Sequence, residues 1–352
     1  MDLPLPHLVF TEHRVATKCC PNCQKTQSAA FPEQVNAPIQ YGESWSAWSA
    51  YLHTYQHLPL ERITELLGDL TGHRPSQATL LAHLDKLSDR LEPIESIIKE
   101  KLAESAVIHA DETGMRIERK LNWLHTVSND RWTFYGHHPK RGKEAMDAIG
   151  FLPLYMGVVV HDFWKSYFND QYHFTHALCG VHLLRECQGI IDYDHHQWAV
   201  EMQALLREAW RETQSAATVG RPVEPETITS IESRYEDILI RGQKEWHTPI
   251  DPNQLKTRGR PAKSKAENLA ERFLHYKAGI LRFLRHAQIP FDNNQAERDV
   301  RMMKVKEKIS GSLKKGATQF VRIRGFISTV RKQGLNLLES LILVNRGQFS
   351  FS

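Results

Sequence analysis

The sequence predicts an α/β fold: a mixed sheet core with a large helical insertion, preceded by a helical domain and a short cysteine-containing arm. Three observations predict it. Residues 41–104 carry helical periodicity; residues 106–138 break into three short runs rich in β-branched and aromatic side chains, followed by an unbroken Gly-Val-Val-Val; and helical periodicity returns from 172 to 285. A chain of 352 residues suffices for two or three domains and a substantial buried core. Apolar content of 41% and charged content of 24% are those of a globular chain. No stretch approaches the roughly 18 uninterrupted apolar residues that a membrane span requires.

Taken in order, residues 1–40 form an arm rich in Pro, Gln and Cys. Cys20-Pro-Asn-Cys23 is half of a zinc ribbon, and Cys19, His7 or His13 would have to supply the missing ligands, so zinc at Cys20 and Cys23 stays an open expectation. The start lacks the basic and apolar run of a secretory signal, which places the five cysteines in a reducing cytosol without disulfides. Residues 41–104 read as a DNA-binding helical domain of three helices. Ser44 caps the first, with Trp45, Trp48 and Leu52 on one side; Pro59 starts the second, with Ile63, Leu66 and Leu67; Ser76 caps the third, with Leu80, Leu84 and Leu87. The joint between the second and third resembles that of a helix-turn-helix, or of a plain helical hairpin.

Residues 105–182 read as the first part of the core. AVIHADETGMRI, KLNWLHTVSN and RWTFYGHHP are three adjacent strands with tight connections such as Asn129-Asp130. A helix at 142–150 leads into YMGVVVHDFW, a strand buried on both faces. Residues 183–290 are the helical insertion, interrupted by Pro-containing linkers; in one, Arg258-Gly-Arg-Pro261 resembles an AT-hook core, or else is a flexible basic linker. Residues 291–345 start a helix at Phe291-Asp-Asn-Asn294, pass through a basic segment and end in an amphipathic helix with Phe320, Ile323, Ile327 and Val330 on its apolar side.

Strand alternation puts Val107, His109 and Asp111 on one face, and Val158, Val160 and Asp162 on another, so each strand is expected to end on a carboxylate emerging from a core. Glu297 lies in the first turns of the helix near Asn293, where negative charge suits the dipole. Singly, each acid reads as a turn residue, and Glu297 with Arg301 as a surface ion pair. The surroundings favour more. Residues 298–332 hold eleven basic side chains, among them Arg298, Arg301, Lys304, Lys306, Lys308, Lys314 and Lys315, against two acidic ones, in a chain of net charge +4. Such a cluster is either a solvated face or a site for a polyanion.

Three converging acids raise one another's pKa unless divalent cations neutralise them, and hard oxygen donors favour Mg²⁺ or Mn²⁺. Two such ions about 4 Å apart can drive phosphoryl transfer on nucleic acid. Arg301, Lys304 and Lys308 follow Glu297 along one side of the helix to hold phosphates, while Ala296, Val300 and Met303 form an apolar stripe. Trp123, Trp132 and Trp164 read first as core residues; Trp164, two past Asp162, is the best candidate to stack on a base.

The blocks ADETGMRIERKLNWLHTVSND, GVVVHDFWKSY, HALCGVHLLREC, FDNNQAERDVRMMKVKEKISG and RIRGFISTVRKQGLNLLESL occur in this order between about Ala30 and Leu341. They resemble successive blocks of the bacterial insertion-sequence transposases of the sixty-six family. The resemblance implies a ribonuclease-H-like core of the DDE type, with Asp111, Asp162 and Glu297 as its catalytic, metal-binding acids and a helical insertion between the last two. Cys179 and His182 match the family's Cys-x-x-His signature, read as structural support near the site. The implied reaction is cleavage at the element's ends followed by strand transfer into target DNA. The implied partners are double-stranded DNA, further copies of the chain and accessory proteins of the same element, in the cytoplasm and on the nucleoid. Family members often carry another Cys pair and a leucine-rich helix upstream, so the short start reads as an N-terminally truncated copy with impaired recognition of the ends. A catalytically inactive DNA-binding derivative and a nuclease of the same fold are the alternatives.

Overall fold

The computed structural model describes residues 1–2, 6–247, 263–313 and 316–351; Lys314, Lys315 and the motif at 258–261 lie outside the described residues. The chain divides into two compact units, Met1–Glu95 with Val305–Ser352, and Ser96–Lys304.

In the first unit an antiparallel hairpin of β1 (Thr17–Cys19) and β2 (Thr26–Ser28) carries Cys20 and Cys23 in its connection. Helix α1 (Glu43–Ala50) runs on into a π-helical turn, Tyr51–Tyr55. Ser44 is not the cap: the helix starts at Glu43 after Gly42, and the Glu43 charge favours that end. Of the two tryptophans, Trp45 packs against the core and Trp48 does not. Ser46, Ala47, Ser49 and Ala50 are buried and Trp48 is 43% exposed, so the contact face is the one whose small side chains allow close approach.

Helix α2 (Leu60–Thr71) follows Pro59 and stops at Gly72, whose φ of 72° is the left-handed conformation glycine adopts at little cost. Helix α3 (Gln77–Ala103) starts on Ser76, whose Oγ accepts the Thr79 N–H at 3.0 Å. Leu52, Ile63, Leu67 and Leu80 bury one another, flanked by Trp45 and Leu66.

The second unit holds the sheet. Its strands are β3 (Val107–Ile117), β4 (Lys120–Ser128), β5 (Thr133–His138), then, after α4 (Lys143–Ile149), β6 (Val158–His161) and β7 (Thr175–Leu178). The order is β5-β4-β3-β6-β7, antiparallel on the β4 side and parallel through β3, β6 and β7. Asn129 makes the β4–β5 connection by accepting the N–H groups of Arg131 (2.9 Å) and Trp132 (2.7 Å) on its side-chain oxygen.

Two expectations need correction. Asp111 does not end its strand: β3 continues to Ile117 because its second half pairs with β4, while its pairing with β6 covers Val107–His109 alone. Residues 175–178 are a strand inside a stretch that reads as helical, since four residues are too few to show a period.

Helices α5 (Gly180–Asp194), α6 (Gln197–Thr218), α7 (Pro225–Trp246), α8 (Lys265–His275), α9 (Lys277–Ile280) and α10 (Arg282–Arg285) follow. They bury Trp198, Tyr235 and Phe273 in one core with Val160 and Leu178 of the sheet. Helix α11 (Asn294–Ser310) starts where Asp292 accepts the Asn294 N–H at 3.0 Å.

Back in the first unit, α12 (Ala317–Lys332) buries Phe320, Ile323, Ile327 and Val330, and α13 (Leu337–Asn345) is capped by the Asn336 side chain. Helix α1 lies against α13, and its Ser46 hydroxyl donates to the His83 carbonyl of α3 at 2.9 Å. Arg90 ties α3 to α13 through the backbone oxygen (2.6 Å) and side-chain oxygen (2.9 Å) of Asn345. No helix among the described residues is long and apolar enough to cross a membrane.

Candidate active site

The parallel register pairs Val107 with Val158 and His109 with Val160, and Asp111 and Asp162 each lie two residues beyond the last of these pairs. Both acids therefore stand where the two strands stop pairing. Asp111 accepts the Glu112 N–H at 2.8 Å, and Asp162 accepts the Trp164 N–H at 2.8 Å, so each carboxylate is held by backbone just beyond it. Burial, together with the negative charge of Glu112, Asp162 and Glu297, pushes the Asp111 carboxyl up to about 7. Asp162 and Glu297, the other two expected acids, both lie within electrostatic reach of Asp111.

Asn293 brings Glu297 to that region. Fully enclosed, its side-chain oxygen meets His109 Nδ1 at 2.9 Å and its amide donates to the Ala110 carbonyl at 2.8 Å. The first turn of α11 is thus pinned to the residues before Asp111. On the other side the Asn293 N–H donates to Cys179 Sγ (3.3 Å), the Cys179 N–H to the His161 carbonyl (3.0 Å) and the Gly180 N–H to the Phe291 carbonyl (2.8 Å). The end of β6, the start of α5 and the start of α11 form one hydrogen-bonded junction.

Cys179 and His182 lie at this junction. Their donor atoms and a carboxylate oxygen of Glu297 lie within 4.8 Å of one another, and His182 Nδ1 stands 3.7 Å from Glu297 Oε1. Both of those atoms are buried without a hydrogen bond. Asp111, Asp162 and Glu297 do not form a comparably tight trio among the described residues. Glu297 faces Cys179 and His182. Burial pushes the Cys179 thiol up to about 11.

A buried cluster beside the acids is not apparent from spacing. Glu112, 8% exposed, accepts the Tyr167 hydroxyl at 2.7 Å and Arg141 Nε at 2.9 Å. Burial raises the Glu112 carboxyl above its ordinary range against the pull of both partners. The Arg141 guanidinium stacks over Trp164 at 3.7 Å and faces Trp123 at 4.9 Å, so one face of Trp164 is covered by a cation. Glu112 could have been suspected from its place next to Asp111; Arg141 and Tyr167 carry no local signal.

Among the basic residues, Arg298, Arg301, Lys304 and Lys308 are exposed along α11, with Ala296, Val300 and Met303 buried behind them. Lys304 Nζ reaches the Gly114 carbonyl. Lys306 is different: it is 3% exposed, lies 5.8 Å from the Phe320 ring, and burial lowers its ammonium to about 8. An ammonium so enclosed is withdrawn from any surface polyanion. In the N-terminal hairpin the N–H groups of Cys23 and Asn22 hold the Cys20 thiol below its ordinary pKa.

A family model described as "Transposase IS66 family" matches residues 38–318. No curated protein matches the chain.

Proposed function

Because the chain belongs to the IS66 family of transposases, we propose that it cuts the ends of its element and joins them to target DNA at one carboxylate centre formed by Asp111, Asp162 and Glu297. The strand order β5-β4-β3-β6-β7, with β4 antiparallel to its neighbours, supports reading the second unit as a ribonuclease-H-like core interrupted by α5–α10. The observation that carries the reading is that Asp111 and Asp162 each lie two residues beyond the last β3–β6 pair, with the charge of Asp162 and Glu297 felt at Asp111.

The donor set fits Mg²⁺ or Mn²⁺: all its ligands are carboxylate oxygens, and the buried Asp111 among like charges is a group that positive charge would stabilise. Asp111 and Asp162 would hold two such ions, with Glu297 as the third ligand. When bound, the ions supply Lewis-acid stabilisation of the charge on the phosphate and on the departing oxygen. Asp162 is oriented by the Trp164 N–H; Asn293 holds the first turn of α11 in place; Arg298, Arg301, Lys304 and Lys308 give the helix a cationic edge for the DNA backbone. The helical segment at 41–104 contributes further DNA contacts, and copies of the chain pair on two DNA ends in the cytoplasm.

Asp162→Asn tests this directly. Incubated with element-end DNA and Mg²⁺, it should neither nick nor join while binding DNA as before; retained nicking refutes the role of Asp162. Nicks without joined products, from the unaltered chain, would instead identify a nuclease.

A further inference from the structure

We propose that Glu297 belongs to two ligand sets, and that the second, with Cys179 and His182, is a site for one divalent cation of the zinc class. Cys179 immediately precedes α5 and His182 lies in its first turn, so a Cys-x-x-His spacing turns both side chains to one side of the helix start. Two protein ligands do not make a zinc site, and the tertiary structure adds the third. The three donor atoms lie within 4.8 Å of one another, and His182 Nδ1 faces Glu297 Oε1 at 3.7 Å. Both are buried with no hydrogen bond, a costly arrangement that a shared cation would relieve. The sulfur accepts the Asn293 N–H, and the Cys179 backbone is tied to the sheet by its own N–H on the His161 carbonyl.

One thiolate, one imidazole and one carboxylate, with a fourth position open, is a donor set for Zn²⁺ and its neighbours in the first transition row. Mg²⁺, which demands oxygen ligands, does not select it. Binding displaces the Cys179 proton to solvent, one per ion. The binding follows from this geometry alone; its consequence rests on the proposed role of Glu297. A zinc-class ion held here keeps the Glu297 carboxylate turned from Asp111 and Asp162, so trace zinc suppresses the Mg²⁺-dependent reaction and a chelator restores it.

Co²⁺ is the probe, added to the full chain with Cys19, Cys20 and Cys23 changed to Ser so that the exposed hairpin thiols are removed. One equivalent should produce a thiolate-to-cobalt charge-transfer band that Zn²⁺ abolishes. Cys179→Ser should lose that band, and His182→Ala, at a half-exposed position, should weaken Co²⁺ binding by more than the roughly 10–100-fold that an outer-shell partner is worth. Absence of the band, or its survival in Cys179→Ser, overturns the site. Zinc inhibition of nicking that persists unchanged in His182→Ala overturns the consequence. A chain that shows the band and yet never nicks DNA with Mg²⁺ leaves the cation site standing and refutes the catalytic reading instead.

Discussion

Replacing Asn293 by Ala removes two buried hydrogen bonds at once, the 2.9 Å contact with His109 Nδ1 and the 2.8 Å bond to the Ala110 carbonyl, from a side chain only 1% exposed. Leaving a buried polar partner unsatisfied costs about 1–3 kcal/mol each, so the loss for the two should be about 2–6 kcal/mol. The neighbouring Asn294 is exposed, and its change to Ala should stay within about 0.5 kcal/mol. Urea unfolding of both variants, followed by the transition of the sheet-containing unit, checks the difference. Asn293→Asp separates the two bonds: it keeps the acceptor facing His109 and loses the donor to Ala110, so it should also be destabilised. Under conditions where Asn293→Ala is still folded, Mg²⁺-dependent nicking should fall, because the turn that carries Glu297 is no longer tied to β3. A midpoint for Asn293→Ala equal to that of Asn294→Ala would refute the argument that this amide joins the helix to the sheet.

Other outcomes follow from the same geometry. At Gly180 an added Cβ would stand 2.3 Å from the Phe291 ring, so Gly180→Ala should cost about 1–3 kcal/mol in thermal unfolding. Gly189→Ala meets nothing within 4 Å in the interior of α5 and should be neutral or stabilising by up to about 1 kcal/mol. Burial, with Lys306 close to both and Arg324 close to His57, lowers His53 to about 3 and His57 to about 4. The unfolded chain then binds more protons below the ordinary value of 6.5, so stability is flat above that pH and falls as acid is added, by up to about 1.4 kcal/mol per pH unit for each imidazole; His53→Phe or His57→Phe should flatten the acid limb. Changing Arg301 and Lys308 to Ala should reduce the slope of log affinity against log salt by about 0.9 per lost phosphate contact, whereas Lys306→Met should leave the slope unchanged.

Much was legible locally. Alternating β-branched and aromatic runs marked β3, β4 and β5, the Asn129-Asp130 turn separated two of them, and Ser76 announced α3, because each depends on residues a few positions apart. The same held for the start of α11 at Phe291–Asn294 and for the blocks that identify the family. Errors arose where a partner lay far along the chain. β3 outruns Asp111 since β4 is there to pair with it, and β7 exists because β6 offers an open edge. Lys306, one of a run of cations in sequence, is buried beside Phe320.

The sequence by itself determined the inventory: which carboxylates emerge from apolar runs, which helix carries the cations, and to which family the whole belongs. What tertiary structure alone decided is who meets whom. Glu112 finds Tyr167 and Arg141, and Glu297 turns to Cys179 and His182, through the packing of α5 and α11 against the sheet. Side-chain chemistry and helical or strand period act over a few residues, whereas the direction of a carboxylate at a crossing of three elements depends on close packing summed over the entire unit.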